Sequence, residues 1–340
     1  MKANMKPMER MFSILDGLET DRPAAITPTS VATVENMNKT GASFPEAHTN
    51  AGKMAALAAT GHSVLGFDSV APYFSVLQEA AALGCEIDWG KQGTMPTAST
   101  HPYVCPDDFK LPKNFFDRLP IKTVIDAIRM LKDKYGDSVI VIGKVMGPWT
   151  LSYHLHGVQD FLIETITEPE MVRDFLEVFK EVSIKFALAQ IEAGADVLTW
   201  ADHATGDLIS AKSYKEFLLP VHKRCTAELK SQIPRRVPVI LHTCGSTLDR
   251  ISFFTESGFD AFHFDSKNDP VKMLELAGNA IRLTGCVNNA DILLNGTRED
   301  VVAQVNSILQ SGIRMVSPEC AIPAYVKNDN LRAITQTVQG

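Results

Sequence analysis

Apolar positions are irregular over the first 120 residues and then settle into two alternating periods. Ile121, Val124, Ile125, Ile128 and Leu131 recur at helical spacing, and the run stops at Gly136. Residues 139–145 form a nearly continuous apolar run, the pattern of a strand covered on both faces. The pair of signatures then repeats to the C-terminus. Helical stretches are predicted over 158–193, 212–231 (interrupted at Pro220), 247–257, 270–277, 297–310 and 329–338. Strands are predicted over 195–200, 237–241, 260–264, 281–285 and 313–316. Upstream, the pattern predicts an amphipathic helix over 6–18, a strand over 24–27, and helices over 31–39 and 52–60. A strand over 63–67, a helix over 74–83 and a short strand at 84–87 follow. Residues 89–120, punctuated by Pro102, Pro106, Pro112 and Pro120, read as one long connection.

Strands alternating with helices require a parallel sheet with crossover helices. Counting those at 24–27 and 63–67 and setting aside the short one at 84–87, about eight strands are found, and the alternation runs to the C-terminus with no separate domain, which favours an α/β fold of the (β/α)8 TIM-barrel type. Residues 1–340 are expected to form a single domain with an N-terminal helical extension over about 1–22. No glycine-rich phosphate loop is found.

In such a barrel the functional mouth is built from the C-terminal ends of the strands. Here those ends carry Asp202-His203, His242-Thr243-Cys244, Asp265, Cys286-Val287-Asn288 and Cys320. Side chains two positions apart on a strand point the same way, so His242 and Cys244 can reach one ion. Cys320 is the best third ligand, which leaves one position open as in catalytic zinc sites. Taken alone, the His-x-Cys pair is equally well read as a hydrogen-bonded core histidine beside a small buried thiol. Asp265 is a displaceable fourth ligand with a catalytic role or, equally, an exposed rim carboxylate or a helix N-cap. Asp202, His203 and Asn288 are expected to line the substrate pocket; for Asp202-His203 a hydrogen-bonded strand-end pair is the alternative. Cys286 reads as packing.

One histidine and two cysteines suit zinc. Two thiolates make zinc a weak generator of hydroxide but a good holder of a further thiol as its thiolate. The chemistry implied is alkyl transfer to a thiol. Composition narrows the setting. A net charge of −7 gives no reason to expect nucleic-acid binding. No apolar run has the length of a membrane span. Six scattered cysteines do not form a secreted disulfide framework, and charges interrupt the first 17 residues, so a reducing cytoplasm is expected.

Several stretches carry a family resemblance. They are Phe44-Pro45-Glu46-Ala47-His48-Thr49, Gly84-Cys85-Glu86-Ile87 and Glu192-Ala193-Gly194-Ala195-Asp196. Further along come Leu241-His242-Thr243-Cys244-Gly245, Leu293-Leu294-Asn295-Gly296-Thr297 and Ser317-Pro318-Glu319-Cys320-Ala321-Ile322. With these the chain resembles the uroporphyrinogen decarboxylase superfamily, and within it the methylcobamide:coenzyme M methyltransferases. The resemblance implies that His242, Cys244 and Cys320 hold a zinc that activates the thiol of coenzyme M. It also implies that the methyl group arrives as methylcobamide, on a separate methylated corrinoid protein. Two residues depart from the family pattern at the mouth, Glu319 before the last cysteine and Cys286 in the penultimate strand. Other readings are transfer to another thiol or to tetrahydrofolate, metal-free decarboxylation, and a non-catalytic corrinoid partner. Against decarboxylation, residues 26–31 lack the arginines that would hold propionates, and only Asp68 lies near an expected acidic position. Against a bound corrinoid, no Asp-x-His-x-x-Gly occurs.

Overall fold

The computed structural model describes residues 4–340. Eight parallel strands form one sheet: β1 (Ala24–Ala25), β2 (Ser69–Val70), β3 (Ile140–Met146), β4 (Val197–Ala201), β5 (Val239–Thr243), β6 (Ala261–Phe264), β7 (Arg282–Val287) and β8 (Met315–Pro318). Their order is β1-β8-β7-β6-β5-β4-β3-β2. The two ends of the sheet meet through side chains as well as backbone. The Asp68 N–H donates to the Ala25 carbonyl at 2.7 Å, and the Ala25 N–H donates back to Asp68 Oδ2 at 3.0 Å. The Thr27 N–H donates to Ser69 Oγ at 2.8 Å. The result is the (β/α)8 barrel that the alternation predicts.

Several elements differ from expectation. The second strand is not at 63–67 but at Ser69–Val70, because the helix Ala51–Ser63 runs on and Gly66 turns the chain at φ 81°. The long helix expected over 158–193 is two, Val158–Thr167 and Pro169–Glu192. Pro169 lacks an N–H and favours extended backbone before it, so it starts a helix rather than continuing one. Pro220 likewise sits in the first turn of the helix Leu219–Gln232, behind a π-helical turn at Tyr214–Leu218. The connection 89–120 contains the second strand of a small hairpin, Ile87–Asp88 with Thr97–Ala98. A helix not anticipated, Pro148–Leu155, follows β3 directly.

The N-terminal helix Pro7–Leu15 closes the bottom of the barrel. Its Met11, Ile14 and Leu15 pack on Ile140, Ile142, Val197 and Ile240 inside the bore. Each such aliphatic side chain withdrawn from water contributes about 1.5–3 kcal/mol. Arg10 on the same helix is buried and pairs with Asp21 at 2.8 Å and Asp68 at 3.1 Å, and Arg22 adds a second bond to Asp68 at 2.7 Å. Asp68 therefore serves the closed end, away from the strand ends that form the mouth.

Candidate metal centre

Residues His242 on β5 and Cys244 just beyond it meet Cys320, which follows β8. Cys244 Sγ lies 3.0 Å from His242 Nε2 and 3.0 Å from Cys320 Sγ, and Cys320 Sγ is 3.4 Å from His242 Nε2. The separation of the sulfurs is well beyond a disulfide bond, about 2.05 Å. Among the described residues these three make the one group of His, Cys, Asp and Glu side chains whose ligand atoms converge closely enough for a single ion. His242 Nδ1 faces the His263 carbonyl at 3.3 Å. A proton held there leaves Nε2 free as the ligand atom, which is the tautomer a metal-binding histidine needs. The neighbouring ring of His263 lies against His242 at 4.5 Å and is itself tied through Nε2 to the Pro318 carbonyl at 2.8 Å. The two thiols share protons unequally. The hydrogen-bond contact with Cys244 pulls the Cys320 thiol well below its ordinary range, with His242 adding to the effect. The same bond, with burial, pushes Cys244 up. An imidazole nitrogen beside a sulfur already inclined to ionise is a donor set that fits zinc.

The structure places the other expected site residues as follows. Asp265 lies outside the trio. Its Oδ2 accepts the Gly245 N–H at 2.9 Å and its Oδ1 the Lys267 N–H at 2.9 Å, so it holds the loop that carries Cys244. Asp202 is fully buried, and its carboxylate is taken up by groups of the protein. It accepts from the Thr150 N–H at 2.9 Å and lies 2.8 Å from His222 Nε2, whose Nδ1 is 2.8 Å from the Tyr214 hydroxyl. This Asp–His–Tyr chain braces the rim from behind. Asn288 is half-buried, caps the turn Asn289–Leu294 and donates to Ser266 Oγ at 2.9 Å. It ties the loops after β6 and β7 together. His203 does reach the mouth. With Cys244, Tyr153, His154, Val158 and Leu208 it lines a cavity of about 410 Å³. Burial, with His242 adding, lowers its pKa.

The uroporphyrinogen decarboxylase (URO-D) family pattern matches residues 6–340. The chain belongs to that family. A methylcobamide:CoM methyltransferase, MtbA, of Methanosarcina acetivorans is 31% identical over 332 residues, covering 97% of this chain and 96% of that one. A methylated-thiol–coenzyme M methyltransferase of Methanosarcina mazei is 31% identical over 335 residues, covering 98% and 89%. A solved methyltransferase structure from Methanosarcina mazei superposes with a TM-score of 0.94 at 29% identity, covering 98% of both chains. Within the URO-D family the chain thus falls with methyltransferases, the enzyme class expected from its sequence.

The two departures from the family pattern have structural jobs. Glu319 accepts the Asn289 N–H at 2.7 Å and the Ser266 N–H at 3.0 Å, clamping two mouth loops beside Cys320. Burial raises its pKa. Cys286 is buried in β7 and its thiol is pushed up to about 12 by burial. It packs and is not in the trio.

Sequence reasoning missed a polar group inside the bore. Lys144 is buried on β3, with its ammonium 4.6 Å from the centre of the Tyr73 ring. Tyr73 donates a short bond to Glu79, whose other oxygen accepts the Met146 N–H at 2.9 Å. The signal was available: a lysine within the apolar run Ile140-Val141-Ile142-Gly143-Lys144-Val145-Met146 has nowhere to go but inside.

Proposed function

We propose that this chain is a zinc-dependent methyltransferase that moves a methyl group from a methylated corrinoid, carried on a separate protein, to the thiol of coenzyme M. The observation that carries the reading is the convergence of His242, Cys244 and Cys320 at the mouth of the barrel. Zinc, when bound there, holds the substrate sulfur as its thiolate near neutral pH. The protein's part is positioning. The His263 carbonyl aims His242, Asp265 holds the backbone next to Cys244, and Glu319 fixes the loops beside Cys320. The thiolate attacks the methyl carbon in line. A C–S bond forms as the Co–C bond breaks, and the electron pair stays with the corrinoid. Val158 and Leu208, 42% and 46% exposed, give the cavity beside Cys244 an open apolar rim suited to the flat face of a corrinoid. Names of full-length relatives, which specify methylcobamide and CoM, support donor and acceptor. A single domain acting in the cytoplasm is part of the same proposal. No helix of the described residues is long and apolar enough to cross a membrane.

Zinc analysis with X-ray absorption at the zinc edge, with and without coenzyme M, tests the reading. One zinc per chain that gains a sulfur ligand on thiol addition is the expected result. Zinc without an added sulfur rejects this acceptor, and no zinc in protein prepared with the metal rejects the centre.

A further inference from the structure

Two buried polar side chains, Lys144 and His48, have side-chain nitrogens with no hydrogen-bond partner among the described residues. Lys144 makes no ion pair or side-chain hydrogen bond among the described residues; its ammonium rests only on the Tyr73 ring. Glu79 shares its surroundings, but that carboxyl is occupied by Tyr73 and the Met146 N–H, and burial raises it to about 7, so it neutralises Lys144 poorly. His48 is fully buried, stacked between Phe44 at 4.2 Å and Trp89 at 5.6 Å. Neither of its ring nitrogens has a hydrogen-bond partner. Its backbone carbonyl is held by Gln78 at 2.8 Å, so the ring is fixed in place. Lys144 lies close enough to His48 to help lower the histidine's pKa to about 4, after the larger effect of burial, which leaves the ring neutral with one N–H to donate. The charge of Lys144 is also felt at Cys320 and Cys244.

Register sets the side. Lys144 pairs with Thr199, Thr199 with Ile240, and Ala201 with His242, so Lys144 and His242 face the same side of the sheet, two strands apart. Buried donors without acceptors destabilise a fold and mark a place where a ligand supplies the acceptors.

We propose that Lys144 and His48 form a subsite that binds the anionic group of the thiol substrate, beside the metal-ligating trio. The inference rests on the thiol-acceptor reading above and adds the residues that hold the acidic end of that thiol, a group with several acceptor oxygens and no donors. A sulfonate offers three oxygens to an ammonium with three donors and an imidazole with one.

The test is calorimetric titration of zinc-loaded protein with 2-mercaptoethanesulfonate and, separately, with uncharged 2-mercaptoethanol. The wild type is expected to prefer the sulfonate at least about 10-fold. Lys144→Met is expected to weaken sulfonate binding about 10- to 100-fold while leaving mercaptoethanol binding within about 2-fold. Lys144→Arg recovers part of the preference. His48→Phe, which keeps the aromatic stack and removes both nitrogens, loses a smaller part. Equal affinity of the wild type for the two thiols overturns the subsite without any variant, and so does an unchanged preference in Lys144→Met. Binding of neither thiol by the zinc-loaded wild type overturns the thiol-acceptor reading, and the subsite with it. If Lys144→Met does not fold, the wild-type comparison and His48→Phe decide.

Discussion

The two ends of the barrel bore treat buried charge in opposite ways. At the closed end Arg10, Arg22, Asp21 and Asp68 satisfy one another, and Asp68 also caps the Ala25 N–H. Apolar side chains of β3, β4 and β5 fill the bore beside them. At the mouth the bore changes to Lys144, Thr199, His242, His263, Thr284 and Ser317, all buried. There, among the described residues, Lys144 makes no ion pair and His48, His154 and His263 keep ring nitrogens without partners. A buried polar group that is fully paired holds a fold together. One that is unpaired costs stability and persists where a ligand completes it. Charged residues at both ends look alike in the sequence; their partners separate scaffold from site.

The sharpest way to break the comparison is at the metal centre. Cys244→Ala is expected to lose zinc and to lower methyl transfer from methylcobalamin to coenzyme M on the order of 1000-fold, while the urea-unfolding midpoint of the metal-free protein stays near wild type. Elemental analysis and the methylcobalamin absorbance check both. Arg10→Met should do the reverse. It removes the ion-pair partner of Asp21 and leaves Asp68 to Arg22 alone, and should destabilise the protein by about 3 kcal/mol in urea unfolding, with activity per folded molecule retained. Asp265→Ala tests the support of the centre. Loss of the bond to the Gly245 N–H is expected to weaken zinc binding about 10- to 100-fold in a competition titration. Unchanged zinc affinity and unchanged resting coordination would remove Asp265 from the centre, both as support and as a displaceable ligand.

The smallest effect concerns the sign of a stability change. Burial depresses the Lys144 ammonium from its ordinary 10.5 to about 8, with nearby Cys320, Glu79 and Cys244 opposing the shift. Below about pH 8 both folded and unfolded chains hold the proton, and the full penalty of burying the charge applies. Between about 8 and 10.5 the unfolded chain keeps a proton that the folded chain has released, so this group's contribution to stability rises with pH. Lys144→Met should therefore be as stable as the wild type or more so at neutral pH, by on the order of 1 kcal/mol, and its advantage should shrink toward pH 10.5. A destabilised Lys144→Met at neutral pH would mean that the mouth is held together by its charge, as the closed end is.

Local patterns in the chain were enough to specify the barrel and the soft ligands at its rim. Helical and strand periods alternate because crossover helices cover both faces of each strand, and that burial is written into successive residues such as those of β3 and β5. His242 and Cys244 announce themselves because two positions on one strand share a side. Long-range placement was beyond that reach. A strand of two residues such as β2 has no period to read, and its position is set by the helix that runs up to it and by Asp68 bridging to β1. Asp202 stands at a strand end like Asp265, yet His222 and Tyr214 from another segment draw it into the interior. Lys144 and His48, distant in sequence, are linked only in the folded chain, through Tyr73 and Gln78. Periodicity records which positions are buried; only the tertiary structure decides what each buried group finds beside it, and therefore which of them still lacks a partner.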